Sequence, residues 1–173
     1  GGSMKIAIAG SSGRMGRTLI EAVLTSADLK LSAALEVAAS PQLGKDAGES
    51  LGSACGVAVS ADYAAGIAAS DCLIDFTRPE GSLLHLEACV NAGTNMVIGT
   101  TGFSAEGKQR IVDAAKRIAI VFAPNMAVGV NAAFNWPRSQ RKSWGTPTTW
   151  RSSRRTIGTR SMRLRARRSS SAK

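Results

Sequence analysis

Met4-Lys-Ile-Ala-Ile-Ala-Gly-Ser-Ser-Gly-Arg-Met-Gly-Arg-Thr-Leu-Ile-Glu-Ala-Val-Leu24 decides the fold. Ile6, Ala7, Ile8 and Ala9 make a short apolar run of the kind found in a strand buried on both faces. Gly10, Gly13 and Gly16 follow, and Leu19, Ile20, Val23 and Leu24 then recur at helical spacing. Strand, glycine turn and helix together give the glycine pattern a mechanism. Gly10 permits the tight turn, Gly13 lets backbone approach a pyrophosphate, and Gly16 lets the helix pack close to the strand. Free N–H groups and the positive dipole end of the helix would hold phosphates. The bland reading of such glycines is turn geometry alone, but their place after the first strand favours dinucleotide binding.

Beyond that helix, Leu29 to Leu35 reads as a second strand ending at Glu36. An acid here, after the second strand of a βαβ unit, suits the adenosine ribose hydroxyls better than solvent alone. Val37 to Leu51 lacks a clear period and reads as loop with a helical turn. Val57 to Val59 reads as a short strand and Asp62 to Ala69 as a short helix. Cys72 to Phe76 is the next buried strand, and Pro79 opens a helix whose apolar face holds Leu83, Leu84, Leu86, Ala88 and Val90 up to Gly93. Asn95 to Ile98 is a strand running into Gly99-Thr-Thr-Gly102. Ser104 caps a helix carrying Ile111, Val112, Ala115 and Ile118, and Ile118 to Phe122 is the following strand, closed by Ala123-Pro-Asn125.

Alternating strands and helices with short links predict an α/β fold, a Rossmann-like doubly wound parallel sheet. Ligands of such sheets sit beyond the carboxyl ends of the strands. Four loops fall there: Gly10–Gly16, Phe76–Arg78, Gly99–Gly102 and Ala123–Met126. Thr100 and Thr101 suit contacts with a nicotinamide carboxamide. Arg78 reads equally as a cofactor contact or a surface salt bridge. Asp75 is either structural or near the cofactor, and His85 reads as a partly exposed helix histidine. Residues 4–134 show no carboxylate pair, Ser/His pair or reactive cysteine, so no catalytic residue is assigned. One histidine and three unpatterned cysteines leave no metal site.

The net charge of +10 would ordinarily point to nucleic acid. Its distribution argues against that, because all 12 acidic residues precede Phe134. Residues 135–173 carry no acid, are rich in Arg and Ser, and hold all three tryptophans (Trp136, Trp144, Trp150). The chain is two compositions joined near Phe134. The basic tail predicts weak, salt-sensitive binding of nucleic acid with no specific site, and its sparse aliphatic content predicts no packed domain. Gly1-Gly2-Ser3 reads as a cloning scar. No apolar run reaches the roughly 18 residues of a membrane span, so a soluble cytoplasmic protein is predicted.

Four motifs together resemble the dihydrodipicolinate reductase family, nicotinamide-dependent enzymes of the diaminopimelate route to lysine. They are Gly10-Ser-Ser-Gly-Arg-Met-Gly16, Asp75-Phe-Thr-Arg-Pro-Glu-Gly81, Ile98-Gly-Thr-Thr-Gly-Phe103 and Ala123-Pro-Asn-Met-Ala-Val-Gly-Val-Asn131, in the family's order. The resemblance spans residues 4–134, the dinucleotide-binding domain. It implies that Gly10, Ser11, Ser12, Gly13, Arg14 and Met15 bind pyrophosphate and that Glu36 binds the adenosine ribose. It also implies that Gly99, Thr100 and Thr101 flank the nicotinamide, and that Ala123, Pro124, Asn125 and Met126 close over the cofactor. Many members carry arginine after the ribose glutamate to meet a 2′-phosphate. Val37 stands there here, which implies NADH ahead of NADPH.

Family members continue into a second domain with a His-His-Arg-His-Lys run and a Ser-Gly-Thr loop, which contact a cyclic dicarboxylate substrate and donate the proton. This chain has neither. Back-translation of Asn135 to Arg168 with synonymous codons, read from the third base of each codon, accounts for the loss. The segment Arg154 to Arg168 then yields Ala-His-His-Arg-His-Lys-Val-Asp-Ala-Pro-Ser-Gly-Thr-Ala. Residues 135–173 therefore read as a frameshifted tail standing in place of the substrate domain. The chain is expected to bind dinucleotide, to lack reductase activity and not to form the family's homo-oligomer. Two alternatives are another nicotinamide-dependent reductase and a nucleotide-binding module with a nucleic-acid-binding tail.

Overall fold

The computed structural model describes residues 2–123. The expectations for Pro124, Asn125, Met126 and the basic tail lie outside the described residues. Six strands form one parallel sheet: β1 (Met4–Ala9), β2 (Leu29–Leu35), β3 (Val59–Ser60), β4 (Cys72–Asp75), β5 (Asn95–Ile98) and β6 (Ile120–Phe122). Their spatial order is β3-β2-β1-β4-β5-β6. The chain thus winds outward from β1 in one direction, returns to β4 on its other side, and winds out again. Between β1 and β4 the direction reverses, which is where sheets of this kind bind ligands.

Helices cover both faces. The α1 helix (Arg14–Thr25) buries Leu19, Ile20 and Val23 against Ile6, Ile8, Leu31, Ala34, Ile74 and Val97. On the other face α2 (Tyr63–Ala68), α3 (Pro79–Ala92) and α4 (Ala105–Ala114) pack Ile67, Leu86, Cys89, Ile111 and Ala114 against Ala7, Leu35, Leu73, Met96 and Ile98. Central strands bury side chains on both faces, which explains their unbroken apolar runs. Where β1 meets β2 the register shifts between Ile6 and Ala7, leaving Ser32 out of the pairing. Its hydroxyl takes up a 2.6 Å hydrogen bond with the Ser70 hydroxyl instead.

Side-chain caps set two helices, at Ser104 as the sequence predicts and at Asp62, which caps α2 and does not belong to it. Asp62 accepts the Ala65 N–H and Ser104 the Gly107 N–H, while Pro79 opens α3. Several boundaries differ from expectation. β3 is Val59–Ser60 and not Val57–Val59, because Val57 lies in the β2–β3 connection, accepting the Ala47 N–H. Leu24, Leu84 and Val112 are exposed, since helical periodicity places them off the buried stripe. Ile118 belongs to neither α4 nor β6, yet it is buried in the turn between them.

One side chain clamps the turn of the β2–β3 connection, which backbone bonds between 44–47 and 57–59 also hold. Asp46 accepts N–H bonds from Gly48 (2.8 Å), Cys55 (2.9 Å) and Gly56 (2.7 Å). The Cys55 N–H bond, followed by that of Gly48, holds its carboxyl down at about 2. A short 3₁₀ turn (Glu49–Leu51) rides on this clamp.

Candidate dinucleotide site

The glycine loop sits at the carboxyl end of β1, beside the reversal point. Gly10 takes φ +68, a left-handed conformation that disfavours any side chain. At Gly16 a Cβ would collide with the Gly10 carbonyl and the Ser11 backbone, so only glycine lets α1 start this close to the loop. The loop is also bolted to β2: Ser11 N–H donates to the Leu35 carbonyl (3.1 Å) and Ser12 N–H to Glu36 Oε1 (2.8 Å). Gly13 N–H turns back to the Gly10 carbonyl (3.1 Å).

The N–H groups of Ser11, Ser12 and Gly13 are therefore already used. Donors for phosphate must come from the first turn of α1, over Arg14, Met15 and Gly16. No side chain caps that helix, whose N-cap is Gly13. Uncapped first-turn N–H groups and the helix dipole favour an anion there. The Ser11 side chain is 2 % exposed, and its hydroxyl has no hydrogen-bond partner among the described residues. A buried hydroxyl without a partner costs about 1–3 kcal/mol, which a ligand oxygen would recover. These features fit a dinucleotide pyrophosphate.

Glu36 follows β2 directly. Besides Ser12, it accepts its neighbour's N–H at Val37 through Oε2 (3.2 Å). Each carboxylate oxygen has a second lone pair, so both can still accept ribose hydroxyls. Val37 is 69 % exposed and brings no cation to this position. Arg17, one turn into α1, donates from Nε to the Ser12 carbonyl (3.1 Å).

Across the reversal point, β4 and β5 end in Phe76–Arg78 and Gly99–Gly102. Thr100 is buried and its hydroxyl bonds that of Ser82 (2.8 Å), whereas Thr101 is exposed. Arg78 is exposed at the N-cap of α3, and no ion pair holds it among the described residues. The structure thus brings Gly10–Met15, Glu36, Gly99–Thr101 and Ala123 to one end of the sheet, each beyond a strand's carboxyl terminus.

Asp75 and His85 go beyond what their positions predict. Asp75 is fully buried at the end of β4 and accepts bonds from Thr77, Ser82 and His85. Burial pushes its carboxyl up, but the His85 hydrogen bond and charge, with the Thr77 bonds, outweigh burial and hold it below the ordinary carboxylate value. His85 is partly exposed on α3, as read, yet its Nδ1 lies 2.6 Å from Asp75 Oδ2. A signal was present: Ser82 and His85 lie three apart, on one face of a helix that follows an acid within an apolar strand. Cys72 and Cys89 are buried free thiols, and burial pushes both up to about 12. No group of three or more potential metal ligands occurs among the described residues, and none of their helices is long and apolar enough to cross a membrane.

Comparison with known proteins agrees with this geometry. The family profile for the N-terminus of dihydrodipicolinate reductase matches residues 4–126. The 4-hydroxy-tetrahydrodipicolinate reductase of Nitrosomonas eutropha is 60 % identical over 131 residues, covering 76 % of this chain and 49 % of that protein. The reductase of the same name from Dechloromonas aromatica is 61 % identical over 130 residues, covering 75 % and 48 %. Among solved structures, dipicolinate-bound dihydrodipicolinate reductase from Paenisporosarcina sp. TG-14 superposes with a TM-score of 0.60 at 25 % identity, covering 76 % of this chain and 54 % of that one. The chain spans about half the length of the curated relatives it matches. With the profile running from the first strand past the sixth, across every loop that gathers at the reversal point, the chain belongs to the dihydrodipicolinate reductase family through that family's N-terminal domain.

Proposed function

We propose that residues 4–134 form the nicotinamide-dinucleotide-binding half of a 4-hydroxy-tetrahydrodipicolinate reductase. The observation that carries the reading is the buried, unpartnered Ser11 hydroxyl beside the uncapped start of α1. Gly10 to Met15 would hold the pyrophosphate, chiefly through first-turn N–H groups of α1. Glu36 would accept the adenosine ribose hydroxyls while it holds Ser12. The Gly99–Thr101 turn would flank the nicotinamide through its backbone and Thr101, and Ala123 to Met126 would close over it. A bound nicotinamide supplies a hydride from its C4, and in the complete family enzyme the acceptor is the cyclic dicarboxylate. NADH is the favoured cofactor because Val37 offers a 2′-phosphate no cation.

Groups that would bind that substrate and donate a proton are missing from this sequence, whose sole histidine is committed to Asp75. General acid assistance alone is worth about 10²–10⁴-fold, so the 173-residue chain should show no turnover. Residues 135–173 are read as out-of-frame sequence in place of the substrate domain, and sequencing the coding DNA beside an intact mass tests that directly. The cofactor reading is tested by titrating the 173-residue chain with NADH and NADPH and following nicotinamide fluorescence. Saturable binding of NADH, tighter than NADPH, is expected. No binding up to about millimolar NADH, equivalent to less than about 4 kcal/mol, overturns it.

A further inference from the structure

We propose that Asp75 and His85 act as a positioning pair that sets the geometry of the nicotinamide side of the site. The inference rests on the dinucleotide reading above and adds a role for two residues that touch no cofactor themselves.

Asp75 closes β4 at the middle of the sheet, paired with Ala9 of β1 on one side and Ile98 of β5 on the other. Those neighbours immediately precede Gly10 and Gly99. Its Oδ1 accepts the Thr77 N–H (2.8 Å), the Thr77 hydroxyl (2.7 Å) and the Ser82 hydroxyl (3.0 Å). Ser82 also bonds the Thr100 hydroxyl, which lies 3.4 Å from the same carboxylate oxygen. The Thr100 side chain therefore points into this network and anchors the turn that follows β5.

Two close approaches extend the reach of the carboxylate. The ring of Phe76, next to Asp75, lies against Gly99 where a Cβ would otherwise stand. The Thr77 methyl lies 3.1 Å from where a Gly10 Cβ would be. One carboxylate thus ties together the β4 turn, the β5 turn and the edge of the glycine loop. The Thr77 bonds are local, two residues on, whereas the Thr100 contact and the Phe76–Gly99 and Thr77–Gly10 approaches join segments far apart in sequence.

A buried carboxylate of this kind keeps its geometry only while every donor stays in place. Oδ1 is taken by Thr77 of the β4 turn and Ser82 of α3. Oδ2 is held by His85 of α3, whose ring makes a T-shaped contact with Tyr63 of α2 at 5.4 Å. Removing the His85 donor frees the carboxylate to rotate, and the bonds on Oδ1 that orient Thr77 and Thr100 loosen with it. The pyrophosphate end is built on β1, α1 and the Glu36 side chain; it meets β4 through the backbone pairing of Ala9 with Asp75 and the Thr77 methyl, and none of its hydrogen bonds ends on the Asp75 carboxylate. The consequence is selective: nicotinamide contacts suffer and ADP-ribose contacts do not.

The test uses the 173-residue chain and two ligands, NADH and ADP-ribose, which share everything but the nicotinamide. His85→Phe removes the donor and keeps a ring against Tyr63. It should raise the NADH Kd about tenfold, the loss of one well-placed hydrogen-bonded contact, and leave the ADP-ribose Kd within about twofold. His85→Asn places an amide donor near the position of Nδ1 and should restore NADH affinity. Ser70→Ala, which cuts the Ser32–Ser70 bond far from the cleft, should lower the melting temperature without moving either Kd. Should His85→Phe fail to fold, Thr100→Val removes the inward hydroxyl from the same network and should give the same selective loss. Equal loss of both ligands, no loss of NADH, or no recovery in His85→Asn overturns the positioning role. Wild-type protein that binds neither ligand removes the dinucleotide reading itself, and this proposal with it.

Discussion

Glu36 has one observed duty and a second that the proposed function gives it. It follows β2 as the ribose acid of a βαβ dinucleotide unit does, and it holds the glycine loop by accepting the Ser12 N–H. Replacing it with alanine should weaken NADH binding by about 1–3 kcal/mol, the range of a charge-assisted hydrogen bond lost from a partly buried site. Calorimetric titration of Glu36→Ala against wild type measures this, and unchanged affinity would remove Glu36 from the site. The acid was legible because strand, glycine turn and helix fix where the next strand must end. Asp75 was harder to read. Thr77 is a local partner two residues on, but the others stand 7, 10 and 25 residues away, and only the fold brings Ser82, His85 and Thr100 to one carboxylate.

At the scale of elements, apolar runs located the strands because parallel strands are buried on both faces. They fail where a strand has two residues, as in β3, or where a buried residue such as Ile118 sits in a turn. The β2–β3 connection lacks a regular period because its apolar contacts, from Leu43, Ala47, Leu51, Cys55 and Val57, are irregularly spaced and its turn is shaped around Asp46. That gives the connection its own acid sensitivity. The folded Asp46 carboxyl stands at about 2, below its ordinary 3.8. A depressed folded value means its contribution is complete above the ordinary value and is lost as pH falls through the folded one. Amide exchange at Gly48, Cys55 and Gly56, corrected for intrinsic rates, should therefore accelerate as pH drops from about 4 to about 2. Asp46→Asn should show fast exchange already at neutral pH. Protection unaffected by either change would mean that the loop is held by something else.

For the whole molecule, strand order carries more functional meaning than any single motif. Winding out from β1 in both directions reverses the strand order once, and the glycine loop, Glu36, the β4 turn and the β5 turn all lie at that end of the sheet. Four motifs in order made that arrangement legible before any coordinates, since each motif ends a strand of one parallel sheet. Family membership then accounts for the first half of a reductase, while the remaining residues of this sequence carry no second-domain motif. The proposed function requires a nicotinamide dinucleotide to lie across this reversal point in one defined orientation. Backbone amide chemical-shift mapping of the 173-residue chain with NADH tests it most directly. The largest shifts should fall on Ser11 to Gly16, Glu36 and Val37, and Gly99 to Thr101, with ADP-ribose reproducing all but the last group. Shifts confined to the amino-terminal ends of the strands, or none at saturating NADH, would contradict the account.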